Sequence, residues 1–314
     1  MTWNPLPLSY CTNVHPGRTV AEVEYGLNEY TVPLRSNFGE PLAAGLWLAQ
    51  PVVRELLETP DGVRRFAEGL DRRGLSCHTL NAFPFGDFHS ARVKENVYLP
   101  DWTDPLRLQY TEDCAKVLAA LLPPDTEGSI STVPLGFKEF EHAEDFEEQA
   151  IRLLLKLAVS LDRLHQETGR KVRLAIEPEP FCLVETTDEA IAFFQRLFEV
   201  AMDEFNPILA QEYLGLCYDV CHQAVEFEDV ADSIGRIDQA GIAINKIHIT
   251  CAIHLGTPSQ NKEGLEALAR YVEPRYLHQT MAKTQDGAIL RQVDLTEPFA
   301  RTPPTDFQEA AAWR

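Results

Sequence analysis

"LGLCYDVCHQAVEFED", residues 214–229, changes character part-way along. Its first half is an apolar run ending at Asp219. Its second half has the mixed polarity of a helix. Near-continuous apolarity over six or seven residues is what a strand shows when both its faces are covered. A carboxylate where such a strand gives way to helix is costly to bury without a partner. Cys217 and Cys221, four apart with His222 beside them, invite a zinc or redox reading. The chain has no second cysteine pair at zinc-ribbon spacing, and the two lack the two-residue separation of redox motifs. The cysteines therefore read as packing residues, and Asp219 with His222 as the pair that carries information.

The same unit recurs along the chain. Strand-like runs stand at "LSYCTNVH" (8–15), "LAAGLWLA" (42–49), "LSCHTLNAF" (75–83), "SISTVPLG" (129–136), "VRLAIEPEP" (172–180), "INKIHITC" (244–251) and "RYLHQTMA" (275–282). With residues 214–220 they make eight. Helical patterns lie between them. Thr19 with Glu22, and Thr186 with Glu189, have capping-box spacing. "FEEQAIRLLLKLAVSLDRLHQETG" keeps apolar residues three and four apart and stops at Gly169. Eight alternations over this length predict an α/β fold, a single (β/α)8 TIM barrel over residues 1–314. A doubly wound open sheet is the runner-up, but "NVHPGRT" (13–19) lacks its phosphate-binding glycines. The connection 84–105 is long for a barrel. Its aromatics (Phe85, Phe88, Tyr98, Trp102) predict an ordered lid over the barrel mouth, with His89, Lys94 and Trp102 near a ligand. A surface excursion packed on the outer helices is the equal alternative.

Composition narrows the function. There are 28 basic and 48 acidic residues, a net charge of −20. Such a surface repels nucleic acid and anionic membranes, so neither is an expected partner. No apolar run approaches the ~20 residues of a membrane span. Seven scattered cysteines fit a reducing, cytoplasmic setting. A small-molecule metabolite is the expected partner, and an oligomer is compatible with the sequence.

Barrel chemistry sits where strands end. Four consecutive strands end in Glu177, Asp219, His248 and His278, about one β/α unit apart. Carboxylate and imidazole converging from neighbouring strands make a site for a divalent metal such as Zn, Mn, Co or Mg. His15, His78, Asn81 and Glu179 stand at or near other strand ends and are candidate substrate contacts.

This pattern, Glu after strand five, D-x-x-H after strand six and His on strand seven, resembles the xylose isomerase-like TIM barrels, the sugar phosphate isomerases and epimerases and endonuclease IV. "YCTNVHPG" (10–17), "TLNAFPFGDFHSARVKENVYLPDW" (79–102), "GSISTVPLG" (128–136), "IEPEP" (176–180), "YDVCH" (218–222) and "RYLHQTMA" (275–282) resemble the EboE-type metabolite traffic proteins of that superfamily. The resemblance implies metal ligation by Glu177, Asp219 and His248, with His278 where the superfamily usually has Glu. It implies a substrate- or metal-proximal role for His222, and it puts His254 where a substrate-binding Arg is common. It also leads us to expect a closing segment beyond "DFQEAAAWR". Two ligand glutamates exchange the proton in the epimerases, and only Glu177 is retained here. The expected activity is therefore that of an isomerase or lyase on a small sugar-like or secondary metabolite, with Glu177 and His222 as catalytic groups. A non-catalytic metabolite-binding protein and an endonuclease IV-like phosphodiesterase are the alternatives, the latter disfavoured by the charge.

Overall fold

The computed structural model describes residues 6–314. Seven strands, β1 (Leu8–Cys11), β2 (Leu42–Trp47), β3 (Thr79–Asn81), β4 (Gly128–Thr132), β5 (Val172–Ile176), β6 (Leu214–Asp219) and β7 (Ile244–His248), pair in parallel in chain order. Every residue of β2 and β6 is buried, which is why those runs carry no polar alternation. Helices separate the strands and cover them. The helix Thr187–Glu204 opens on the capping box of Thr186 and Glu189, and Phe146–Thr168 ends at Gly169 in the left-handed conformation (φ 68°). The sheet curls into an α/β barrel. Across its interior, Lys246 of β7 donates to the Leu80 carbonyl of β3 at 2.8 Å and to Ser131 Oγ of β4 at 3.1 Å. No helix among the described residues is long and apolar enough to cross a membrane.

The eighth stave differs from expectation. Segment 275–282 does not pair beside β7, and β1 and β7 are the two ends of the parallel row. With β8 (Leu255–Gly256) already diverted, Thr280–Lys283 becomes β9 of a small sheet ordered β10-β9-β11-β8, where β10 is Ile289–Gln292 and β11 is Ala312–Trp313. The physical reason lies in "KTQDGAIL". Asp286-Gly287 is a hairpin turn signal, and Gly287 takes φ 93° while its N–H donates to the Thr284 carbonyl. The chain therefore folds back antiparallel at the point where a barrel strand would lead into a helix. This sheet has its own apolar cluster around Leu265, Leu295, Phe307 and Trp313.

Candidate metal centre

Asp219 ends β6 and His248 ends β7, and the two are register partners. Glu177 follows β5 directly, its N–H held by the Thr132 carbonyl of β4. Three strand ends thus deliver three side chains to one point. His248 Nδ1 lies 3.1 Å from Glu177 Oε1 and 3.1 Å from Asp219 Oδ2. Asp219 Oδ1 also caps the short helix Val220–Val225, accepting from Cys221 N at 2.8 Å, and accepts from Thr250 Oγ1 at 2.5 Å. His222 stands one turn into that helix. Its Nδ1 donates to the Pro178 carbonyl at 2.9 Å and lies 3.9 Å from Glu177 Oε1.

Both carboxylates are about 5% exposed. Burial opposes the charge on each, but His248 and His222 outweigh it for Glu177. His222, His248 and the Thr250 hydroxyl do the same for Asp219, so both are held below the usual carboxylate range. Burial likewise opposes a charged His248, yet Glu177, Cys217 and Asp219 hold its imidazolium far above the ordinary range. Two buried atoms here lack any hydrogen-bond partner, Glu177 Oε2 and His248 Nε2. Buried polar atoms without a partner need an explanation, and a bound cation, which would displace the His248 proton, is one. Ligand atoms of Glu177, Asp219 and His222 lie within 4.8 Å of one another, as do those of Glu177, Cys217 and His248. Two carboxylates with imidazole suit Zn, Mn, Co or Mg.

Cys217 was not anticipated. It lies two residues before Asp219 on the same strand, so the two-residue period points both into the barrel, and the register shift between Leu216 and Cys217 re-aims this end of the strand. Burial pushes its thiol up to about 11, so without a metal it is a protonated packing group. Thr250 was missed as well.

Beside Glu177 lies a cavity of about 210 Å³, lined also by Asn81, Glu179, His222 and Gln279. Glu179 accepts from Tyr98 Oη at 2.7 Å and from Gln279 Nε2 at 3.0 Å, and burial raises its carboxyl above the ordinary value. The long connection after β3 also lines it, through Phe83, Pro84, Phe88, Val93, Lys94, Val97 and Tyr98. Lys94 faces the cavity with its stem only. Its Nζ donates to the Tyr276 carbonyl at 2.6 Å and to Asp294 at 2.8 Å, and both Val93 N and Lys94 N donate to the Arg275 carbonyl. Lys94 takes φ 43°, a costly conformation that these bonds hold in place. A larger cavity of about 870 Å³ opens by Leu42 and Leu75 near the opposite ends of the strands, and no histidine lines it.

The remaining predicted residues lie elsewhere. His278 is not brought to the cluster: its ring faces Asp294 at 3.5 Å and Glu273 at 3.8 Å, because the segment has left the barrel for the small sheet. Trp102 is fully buried and donates to Thr132 Oγ1, a core residue rather than a ligand contact. His15 stacks on Tyr30 and bonds Tyr10. His78 bonds Ser9, before the start of β3. His254 is exposed near Arg314. His89 does not line the cavity but ties the long connection to the Asn13 carbonyl at 2.8 Å and to Tyr276 Oη at 3.2 Å.

No protein-family model matches the chain, and no curated protein matches it. Solved structures do resemble it. AP endonuclease, family 2, from Brucella melitensis shares 15% identity over 86% of this chain and 92% of its own, with a TM-score of 0.47. The 3-keto-D-glucoside 4-epimerase YcjR from E. coli shares 10% identity over 87% and 92%, with a TM-score of 0.46. A xylose isomerase-like TIM barrel protein from Mycobacterium smegmatis, in complex with magnesium, shares 11% over 91% and 80%, with a TM-score of 0.46. At such identities the likeness is one of overall fold and assigns no chemistry to this chain.

Proposed function

We propose that this protein is a metabolite-handling protein like the EboE-type branch that its sequence resembles, acting as a divalent-metal-dependent isomerase or lyase on a small sugar-like or secondary metabolite. The observation that carries the reading is the convergence of Glu177, Asp219 and His248 on one point, with Glu177 Oε2 and His248 Nε2 buried without partners. Glu177, Asp219 and His248 would hold the metal, with His222 close to Glu177 and Asp219, and Cys217 close to Glu177 and His248. When bound, the metal supplies Lewis acidity toward a carbonyl or diol oxygen.

The chain's own residues divide the remaining work. Glu177 lines the cavity and is the group placed to take a proton from a substrate carbon. Asp219 is committed to the Val220–Val225 helix cap and to Thr250, which makes it a fixed anion and not a base. A single carboxylate moves a proton between adjacent carbons on one face, so isomerisation or elimination fits better than inversion of a centre. His222, in the same cavity, is the candidate for a second proton transfer. The long connection 84–105, which walls this cavity, serves as its lid.

The test is solvent deuterium exchange on a converted sugar, comparing wild type with Glu177→Gln and His222→Asn. Loss of exchange in Glu177→Gln with exchange kept in His222→Asn is the expected result. Exchange unchanged in Glu177→Gln overturns the assignment. No exchange with any sugar tried would turn the reading to a metabolite-binding role.

A further inference from the structure

Cys217 is the one group of the cluster that the chemistry above leaves idle. It is fully buried, as a packing cysteine is. Its direction says more. Cys217 is the register partner of Lys246, as Asp219 is of His248. Lys246 donates across the barrel interior to the Leu80 carbonyl, so this face of both strands looks inward. β6 therefore turns two ligating groups, Cys217 and Asp219, toward the barrel interior.

Ligand atoms of Cys217, Glu177 and His248 lie within 4.8 Å of one another. Of the seven cysteines, none of them in a disulfide, Cys217 is the one that stands in such a group among the described residues. Packing alone would satisfy a thiol, but it does not satisfy the neighbours. Glu177 is 5% exposed, and its Oε2 has no hydrogen-bond partner; neither has Nε2 of His248. A buried carboxylate oxygen left in that state is costly, and a cation shared with the sulfur relieves it.

The fold also decides where a further donor comes from. β7 ends the parallel row, and His278 faces Asp294 and Glu273 in the small sheet. No strand beyond β7 brings a side chain to the cluster among the described residues. The donor must come from the strands already present. On the Asp219 side of Glu177 it is His222, and on the His248 side it is Cys217.

Resting on the metal centre proposed above, we infer that Cys217 is a thiolate ligand of that centre and tunes it to a thiophilic divalent ion, Zn or Co, over Mn and Mg. As the metal binds, the S–H bond breaks, its proton leaves to solvent, and a sulfur–metal bond forms. Carboxylate and imidazole serve all four ions, whereas a thiolate adds affinity for the softer two.

Cobalt reports a thiolate directly, through a sulfur-to-cobalt charge-transfer band in the near ultraviolet. The full chain is stripped with chelator and loaded with Co, and its spectrum is compared with those of Cys217→Ser, Cys217→Ala and Cys221→Ser. Wild type and Cys221→Ser should show the band. Both Cys217 variants should lack it while still taking up Co, and the alanine variant covers the case in which a buried serine hydroxyl is not tolerated. Zn affinity, read by competition with a chelator, should fall in the Cys217 variants by more than the roughly 10–100-fold that losing an outer contact costs. Mn affinity should change far less. Co-loaded wild type without the band, a band that survives in Cys217→Ala, or a Zn-to-Mn preference equal in wild type and both Cys217 variants overturns the inference. The two readings fail separately. Metal uptake by wild type with no thiolate band refutes the Cys217 assignment and leaves the centre standing, whereas wild type that takes up neither Co, Zn nor Mn refutes the centre and the inference with it.

Discussion

Thr250 offers a way to weaken Asp219 without removing it. Its hydroxyl donates to Asp219 Oδ1 at 2.5 Å, an outer contact of the kind that orients a ligand carboxylate. Thr250→Val should lower metal affinity by roughly 10–100-fold with the fold intact, read by competition with a chelator. Proton competition belongs to the same scale. Burial opposes a charge on His248, but Glu177, Cys217 and Asp219 raise its pKa above that of an ordinary imidazole. The proton must leave before a metal can bind there. Apparent metal affinity should therefore rise from pH 6 to pH 8, with proton release visible as a buffer-dependent heat. Affinity flat across that range would place the metal on the carboxylates without His248. At this scale the sequence was informative where strands end, since Asp219 and His248 carry titratable groups at the limit of an apolar run. It was silent on Thr250, which follows its strand like any loop threonine, and Cys217, although two residues before Asp219 on the same strand, read only as packing.

The element that most shapes the site is the connection after β3. Its aromatic content marked it as ordered, and seven of its residues, from Phe83 to Tyr98, wall the cavity beside Glu177. Which of its side chains face inward was not legible. Trp102 went to the core, and Lys94 became a clasp onto the segment 273–294, because both partners come from parts of the chain 30 to 200 residues away. Lys94→Met keeps the stem and removes the clasp, leaving Asp294 Oδ2 and the Tyr276 and Glu273 carbonyls without the Lys94 donor. It should cost about 2–3 kcal/mol of stability and expose residues 84–98 to proteolysis, as seen in thermal unfolding and limited digestion. Unchanged protease sensitivity would show that the lid holds without this bond. The small sheet beyond β7 gives the complementary lesson. "RYLHQTMA" has a barrel strand's apolarity, but the Asp286-Gly287 turn shortly after it decides its partner. His278 left the cluster for that reason.

For the whole molecule, the parallel order of seven strands places Glu177, Asp219 and His248 at adjacent strand ends, and the claim that they form a metal centre is the one on which the rest depends. The barrel was legible because each strand had to be apolar throughout to be covered on both sides. The missing eighth stave was not, because strand apolarity does not encode pairing direction. The most direct test is elemental analysis and thermal unfolding of the full chain, stripped with chelator and reloaded with Mn, Co or Zn, for wild type and His248→Ala. A metal centre at these strand ends predicts one equivalent of metal per wild-type chain and a stability gain of about 2.7 kcal/mol at one hundred times the dissociation constant, with both lost in His248→Ala. Wild-type protein that takes up no metal and unfolds at the same temperature with or without it, or a His248→Ala variant that binds as wild type does, would contradict it.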